Sequence, residues 1–209
     1  MQIAILLFDR LTALDAVGPY EVLSRLPDAE VTFAAREPGL KHTDTRQLAL
    51  LATASLTEVP SPDVVLVPGG HVEQPELMDD GPVHEWLRAA HESSTWTASV
   101  CTGSLILAAA GILDGRRATT HWTALQELGR LGAEPVAERV VFDGKLVTAA
   151  GVSAGIDMAL ALAARIAGEQ VAQAIQLGIE YDPQPPFDAG SPQKAPTAVV
   201  QAVRAAVTA

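Results

Sequence analysis

Trp96-Thr97-Ala98-Ser99-Val100-Cys101-Thr102-Gly103-Ser104-Leu105-Ile106-Leu107-Ala108-Ala109-Ala110 joins an apolar, β-prone run directly to a helix-forming one. The pattern predicts a buried strand over 96–100 that turns abruptly into a helix at Cys101, a nucleophile elbow. Such a turn pushes a side chain out at the carboxyl edge of a sheet, where open α/β folds place their ligands. It also aims that side chain at a helix N-terminus, whose partial positive charge favours a thiolate. Cys101 is the chain's single cysteine. A lone cysteine is more often a small buried hydrophobe, and the flanking pattern is what favours a nucleophile here.

Working outward, Asp63-Val64-Val65-Leu66-Val67 reads as another buried strand that stops at Pro68-Gly69-Gly70, with a helix over Pro82–Glu92 before the Cys101 strand. Gln2–Phe8 is a near-continuous apolar run of the kind a strand covered on both faces requires. The helix after it, Ala13–Leu26, is interrupted by Gly18-Pro19, which predicts a kink or two short pieces. A second strand is expected at Glu30–Ala34 and short strands within Leu48–Val59. Downstream come a turn at Asp114-Gly115 and a helix over Trp122–Leu131. A hairpin then joins Val140–Phe142 to Lys145–Thr148 across Asp143-Gly144, a pair suited to a type I′ turn. Helices over Ala154–Ala167 and Glu169–Ile179 follow. Strands alternating with helices predict a doubly wound, mostly parallel sheet of the flavodoxin-like kind, one α/β domain over 1–181. The remainder, 182–209, is proline-rich through Pro192 and Pro196 and ends in a helical candidate at Thr197–Val207. It is a strap that packs on the same domain or reaches across to a second subunit.

The chain has 209 residues, 48% of them hydrophobic and only 4% aromatic, so Val, Leu, Ile and Ala must fill the core. Its formal net charge is −11 with no Lys/Arg cluster, which argues against nucleic acid and anionic membrane as partners. The longest apolar segments fall well short of the roughly 18 residues that span a bilayer. With no basic flank or cleavage site at the N-terminus, a cytoplasmic location is expected. His42, His71, His84 and His91 show no metal-ligand spacing with acids or the cysteine, so neither a metal nor a cofactor is expected.

Five blocks in order carry a resemblance over nearly the whole chain: Leu14-Asp15-Ala16-Val17-Gly18-Pro19, Val67-Pro68-Gly69-Gly70, Ser99-Val100-Cys101-Thr102-Gly103, Ala118-Thr119-Thr120-His121-Trp122 and Gly151-Val152-Ser153-Ala154-Gly155-Ile156-Asp157. Together they resemble the ThiJ/PfpI superfamily, which is class I glutamine amidotransferase-like. The Asp in the first block and the Thr after the cysteine are most similar to its isonitrile hydratase subgroup. The same blocks also resemble the amidotransferase-like domain of AraC-type regulators, which carry a C-terminal helix-turn-helix region; none is expected within this sequence. Peptidases of the superfamily place a histidine directly after the cysteine. Thr102 stands there instead, so no peptidase activity is expected.

The resemblance implies that Asp15 lies beside Cys101, starting out protonated and donating to a thiolate, since two adjacent anions repel. Read alone, Asp15 is a first-turn acid favoured by the helix dipole. The resemblance makes the Gly69-Gly70 turn part of an oxyanion site, and glycines at a strand end leave N–H groups unblocked for that role. Thr102 would supply an N–H at the helix start and a hydroxyl near the substrate. His121 is either near the pocket or hydrogen-bonded for structure, and Ser153, also carried as a substrate-side candidate, most simply caps the helix opening at Ala154. The implied reaction is hydration of a small neutral electrophile, an isonitrile, to an N-substituted formamide through a Cys101 thioimidate. Glyoxalase-type aldehyde chemistry and a non-enzymatic cysteine redox or ligand sensor remain open alternatives. Kinship implies a homodimer, with the apolar first helix around Gly18-Pro19 as its contact surface.

Overall fold

Aliphatic runs with no polar alternation become the central strands, because a strand covered on both faces has no wet side to present. The computed structural model describes residues 1–207, whose contacts form one unit over Met1–Ile179 and a second from Glu180 on. The first unit runs β1 (Gln2–Leu6), α1 (Ala13–Leu23), β2 (Glu30–Ala35), β3 (Gly39–His42), β4 (Ala49–Ala52), β5 (Ala54–Ser55), β6 (Val64–Val67), α2 (Pro75–Met78) and α3 (Pro82–Ser93). It continues with β7 (Trp96–Val100), α4 (Gly103–Ala109), β8 (Arg117–Ala118), α5 (Leu125–Arg130), β9 (Glu134–Pro135), β10 (Val140–Asp143), β11 (Leu146–Ala149), α6 (Ala154–Ala167) and α7 (Glu169–Gly178).

Seven strands form the main sheet in the order β10-β11-β7-β6-β1-β2-β5, parallel throughout except for the β10–β11 hairpin. Counting β1, β2, β6, β7 and β11 in chain order, they lie 2-1-3-4-5 across the sheet, the flavodoxin-like order of a doubly wound fold. The order reverses between β1 and β6, and ligands of such folds bind beyond the carboxyl ends of the strands at that point. The segments that follow β1, β6 and β7 carry Asp15, in the first turn of α1, Gly69-Gly70 and Cys101 there. The helices pack in two groups, α6 with α1 and α7, and α4 with α2, α3 and α5.

Gly18-Pro19 does not break the first helix. α1 is continuous over Ala13–Leu23, with Gly18 and Pro19 both buried. A Cβ on Gly18 would sit 3.1 Å from Ile156, and one on Gly155 would sit 3.2 Å from Pro19 and from Val100. The small residues let α1 and α6 approach closely, and the packing gained there outweighs the hydrogen bond a mid-helix proline forgoes. For the same reason this face is not a free contact surface between subunits. The helix expected from Trp122 begins only at Leu125, because the preceding residues form a turn closed by Ala124 N–H on the His121 carbonyl at 2.8 Å. Gly39–His42 pairs antiparallel with Ala49–Ala52. In the second unit, residues 181–196 hold no regular helix or strand, and α8 (Thr197–Val207) follows.

Gly103 fixes how closely the Cys101 turn approaches β6: a Cβ there would lie 2.2 Å from the Val67 carbonyl oxygen and 2.7 Å from that of Pro68. Gly103→Ala is therefore expected to destabilise the protein by about 1–3 kcal/mol, as overpacking a rigid backbone does. A urea titration of the two proteins checks this through the unfolding midpoint.

Candidate active site

β7 ends at Val100 and α4 begins at Gly103, so the chain reverses within two residues. Cys101 takes the strain, with φ +56° in the left-handed region that non-glycine residues rarely occupy. Its peptide groups are held on every side. The Cys101 N–H is shared between the carbonyls of Ala149 at 3.0 Å and Ala150 at 3.1 Å. Its carbonyl accepts from the Thr120 hydroxyl at 2.9 Å and the Ser104 hydroxyl at 3.2 Å. The residue is 6% exposed. Backbone N–H groups of Thr102 and Val152 face the sulfur and favour its anion, yet burial, with the Asp15 carboxyl next in weight, pushes the thiol up to about 12.

Asp15 comes from the first turn of α1 and is fully buried. Its Oδ2 accepts from the Gly69 N–H at 3.0 Å, while Oδ1 is buried with no hydrogen-bond partner. Burial raises the carboxyl to about 7; the Gly69 N–H and the Cys101 thiol pull it back, and Asp44 pushes it further up. Asp44 is fixed close by, accepting from the Thr12 hydroxyl at 2.8 Å at the start of α1. The structure therefore brings Cys101 and Asp15 together, but as a thiol beside an acid that titrates near neutrality. The expected resting thiolate is corrected: desolvation outweighs the two N–H donors.

The Gly69-Gly70 turn also differs from expectation. Its N–H groups do not point into open space, since Gly69 donates to Asp15 and Gly70 donates to the Thr102 hydroxyl at 2.9 Å. The Thr102 hydroxyl lies beside the sulfur, but its hydrogen goes back to the Gly70 carbonyl at 3.0 Å. A Cβ on Gly69 would sit 2.6 Å from both Thr102 N and Oγ1 and 2.9 Å from Asp15 Oδ2. The turn's role is thus to let three segments meet, with the N–H groups orienting protein side chains.

Ser153 occupies the residue before α6 but makes no capping hydrogen bond. It is exposed, and its hydroxyl accepts from Arg139 at 3.3 Å in place of a helix N–H group. His121 is held by Thr123, its Nδ1 2.7 Å from the threonine hydroxyl. Its ring packs on Gly151, where a Cβ would lie 2.5 Å from Cδ2. Burial lowers its pKa, so the ring is neutral at neutral pH. Among the described residues, no group of three or more His, Cys, Asp or Glu could hold a metal, and no helix is long and apolar enough to cross a membrane.

Two residues escaped the sequence reading. Val152, at φ +34°, puts a backbone N–H on the sulfur; a β-branched residue in that conformation has no local sequence signal. Thr120, 1% exposed, anchors the Cys101 carbonyl from a loop far along the chain, and only its place in the Ala118–Trp122 block marked it.

A family model described as the DJ-1/PfpI family matches residues 1–165. The chain belongs to the DJ-1/PfpI family. Among relatives, isonitrile hydratase of Pseudomonas putida is 46% identical over 204 residues, covering 98% of this chain and 89% of that protein. The HTH-type transcriptional regulator CdhR of Pseudomonas aeruginosa is 39% identical over 90 residues, covering 42% of this chain and 27% of that protein. A THiJ/PfpI family protein from Pseudomonas syringae superposes with a TM-score of 0.95 at 36% identity, covering 99% of this chain and 86% of that one. Drosophila melanogaster DJ-1beta shares the fold, with a TM-score of 0.77 at 23% identity over 86% of this chain and 97% of that one.

Native Asp15 keeps its proton up to about 7, whereas an ordinary aspartate releases it near 3.8. The stability this contributes is complete below 3.8 and is lost as pH rises through about 7. Asp15→Asn is accordingly expected to gain stability relative to wild type as pH rises from about 4 to about 7, by up to a range on the order of 4 kcal/mol, and no further above that. Urea unfolding of both proteins across that range measures the difference; a gap that does not widen with pH would contradict the assignment.

Proposed function

We propose that this chain hydrates isonitriles, converting R–N≡C and water to R–NH–CHO. The observation that carries the reading is the Cys101 thiol at a strained turn beside a buried carboxyl that titrates near 7. The 46% identity to isonitrile hydratase of Pseudomonas putida over 98% of this chain supports it. An isonitrile is neutral, with a divalent electrophilic terminal carbon, so it can enter an apolar site and needs a soft nucleophile.

Asp15 as carboxylate takes the thiol proton, the sulfur attacks the terminal carbon, and Asp15 returns the proton to that same carbon. The product is the thioimidate R–N=CH–S. Asp15 then takes a proton from water as the hydroxyl adds to carbon, and passes it to nitrogen, giving R–NH–CH(OH)–S. In the collapse the hydroxyl proton goes to Asp15, the C–S bond breaks, and the sulfur recovers that proton. The Thr102 and Val152 N–H groups stabilise the sulfur anion in both directions. The Thr102 side chain and Gly69-Gly70 hold Asp15 and the turn in register, and neutral His121 lines the Gly151 side. No step needs a cofactor.

A redox-sensor role is less well supported, because oxidation selects an accessible, low-pKa thiol, whereas Cys101 is buried and raised. The mechanism needs a free thiol, which a reducing compartment maintains, so we place the reaction in the cytoplasm. We carry a homodimer as part of this reading: Leu40 and Leu51 are cross-strand partners on the β3–β4 hairpin and, with nearby Leu48, are 63%, 54% and 50% exposed. Light scattering on the purified protein gives the mass directly; a monomer at micromolar concentration removes the dimer and leaves the chemistry untouched.

With a simple aryl isonitrile, Cys101→Ala should form no formamide, and Asp15→Asn should be slower by about 10²–10⁴-fold. The wild-type rate should rise with pH through about 7, as Asp15 becomes the base. Product formation followed by NMR measures all three. Full turnover by Cys101→Ala, or methylglyoxal converted to lactate in place of isonitrile hydration, would overturn the reading.

A further inference from the structure

We propose that Thr120 is a positioning residue of this site: its hydroxyl anchors the Cys101 carbonyl so that the N–H of the same peptide unit, that of Thr102, faces the sulfur. The proposal rests on Cys101 as the nucleophile. A trans peptide is planar, with C=O and N–H on opposite sides, so whatever fixes the Cys101 carbonyl also fixes the direction of the Thr102 N–H. The Thr120 hydroxyl donates to that carbonyl at 2.9 Å from a position 1% exposed, where no water competes. The second donor, Ser104, is longer at 3.2 Å and comes from α4 itself, so it moves with the turn. Thr120 lies outside both β7 and α4, on the loop after β8, and ties the peptide to a separate part of the fold.

Cys101 sits at φ +56°, a conformation that relaxes unless its surroundings over-determine it. Its N–H is pinned by Ala149 and Ala150 on β11 and the loop after it, and its carbonyl by Thr120. Releasing the carbonyl lets the peptide plane rotate about the Cα–C bond and swings the Thr102 N–H off the sulfur, leaving Val152 as the remaining backbone donor. Thr120 touches neither sulfur nor substrate in this account.

The adjacent Thr119 provides an internal control. It is equally buried at 1% exposure, and its hydroxyl donates to the Glu138 carbonyl at 2.8 Å without touching the Cys101 peptide. Thr120→Val, Thr120→Ser and Thr119→Val are compared by the rate of Cys101 alkylation with iodoacetamide at pH 8, which needs no isonitrile chemistry, and by kcat and KM for an aryl isonitrile. The expected result for Thr120→Val is about a tenfold loss in alkylation rate and in kcat, the size of one buried hydrogen bond. KM should stay within about twofold. Thr120→Ser should restore both rates, and Thr119→Val should alkylate like wild type. Thr120→Ala carries the same test should Thr120→Val not fold. Wild-type alkylation by Thr120→Val or Thr120→Ala, or an equal loss in Thr119→Val, would overturn the proposal. An absence of formamide from the wild-type protein would count against the hydratase reading alone, since the alkylation comparison decides the role of Thr120 independently.

Discussion

A carboxyl group enclosed by protein with only one strong donor beside it is the constraint around which the rest of this structure is arranged. Asp15 has the Gly69 N–H on one oxygen and no hydrogen-bond partner on the other, so its ionised form is poorly solvated and it titrates near neutrality. That poise is what a group passing protons in both directions requires. It depends on three segments meeting at the carboxyl ends of adjacent strands β1, β6 and β7. The meeting is tight enough that Gly69 and Gly103 have no room for a side chain. The close α1–α6 packing through Gly18, Pro19, Gly155 and Ile156 sets how far α1, and with it Asp15, stands from the sheet.

Much of this was legible because buried parallel strands leave a strong signature. Val64–Val67 and Trp96–Val100 lie where apolar runs bounded by Gly and Cys placed them, and the helix Ala154–Ala167 matches its Ala/Leu pattern. The pairing of Cys101 with Asp15 came from the resemblance, since nothing in the spacing of residues 15 and 101 encodes proximity. What stayed hidden depends on backbone direction. Whether the Gly69 and Gly70 N–H groups face a ligand or a neighbouring side chain turns on peptide-plane orientations that composition does not carry, and both proved to face protein. The Gly18-Pro19 pair misled for a related reason. Local propensity counts the lost hydrogen bond, whereas the compensating contact comes from Gly155 and Ile156, far along the chain.

The electrostatics also change what kind of nucleophile Cys101 is. A helix N-terminus and two N–H donors favour a thiolate, but enclosure and the adjacent carboxyl oppose it more strongly, so the resting sulfur holds its proton. Asp15 and Cys101 then titrate as a pair. The reactive form carries one proton between them, whether written as thiol with carboxylate or as thiolate with acid, and both descriptions predict the same acid limb.

A thiol that ionises only on demand suits this chemistry. Nucleophilicity of a thiolate rises with its pKa, and an isonitrile carbon, which offers almost no hydrogen-bonding handle, must be captured by nucleophilic strength. The cost falls on the second half of the reaction, because a basic thiolate is a poor leaving group. The N–H groups of Thr102 and Val152 answer that cost where it arises, since they face the sulfur and interact most strongly once it carries charge. Holding those two donors in place is therefore as much a part of the site as the sulfur and the carboxyl. It also gives a physical reason for a cysteine and a valine to be kept in left-handed backbone at the ends of adjacent strands β7 and β11.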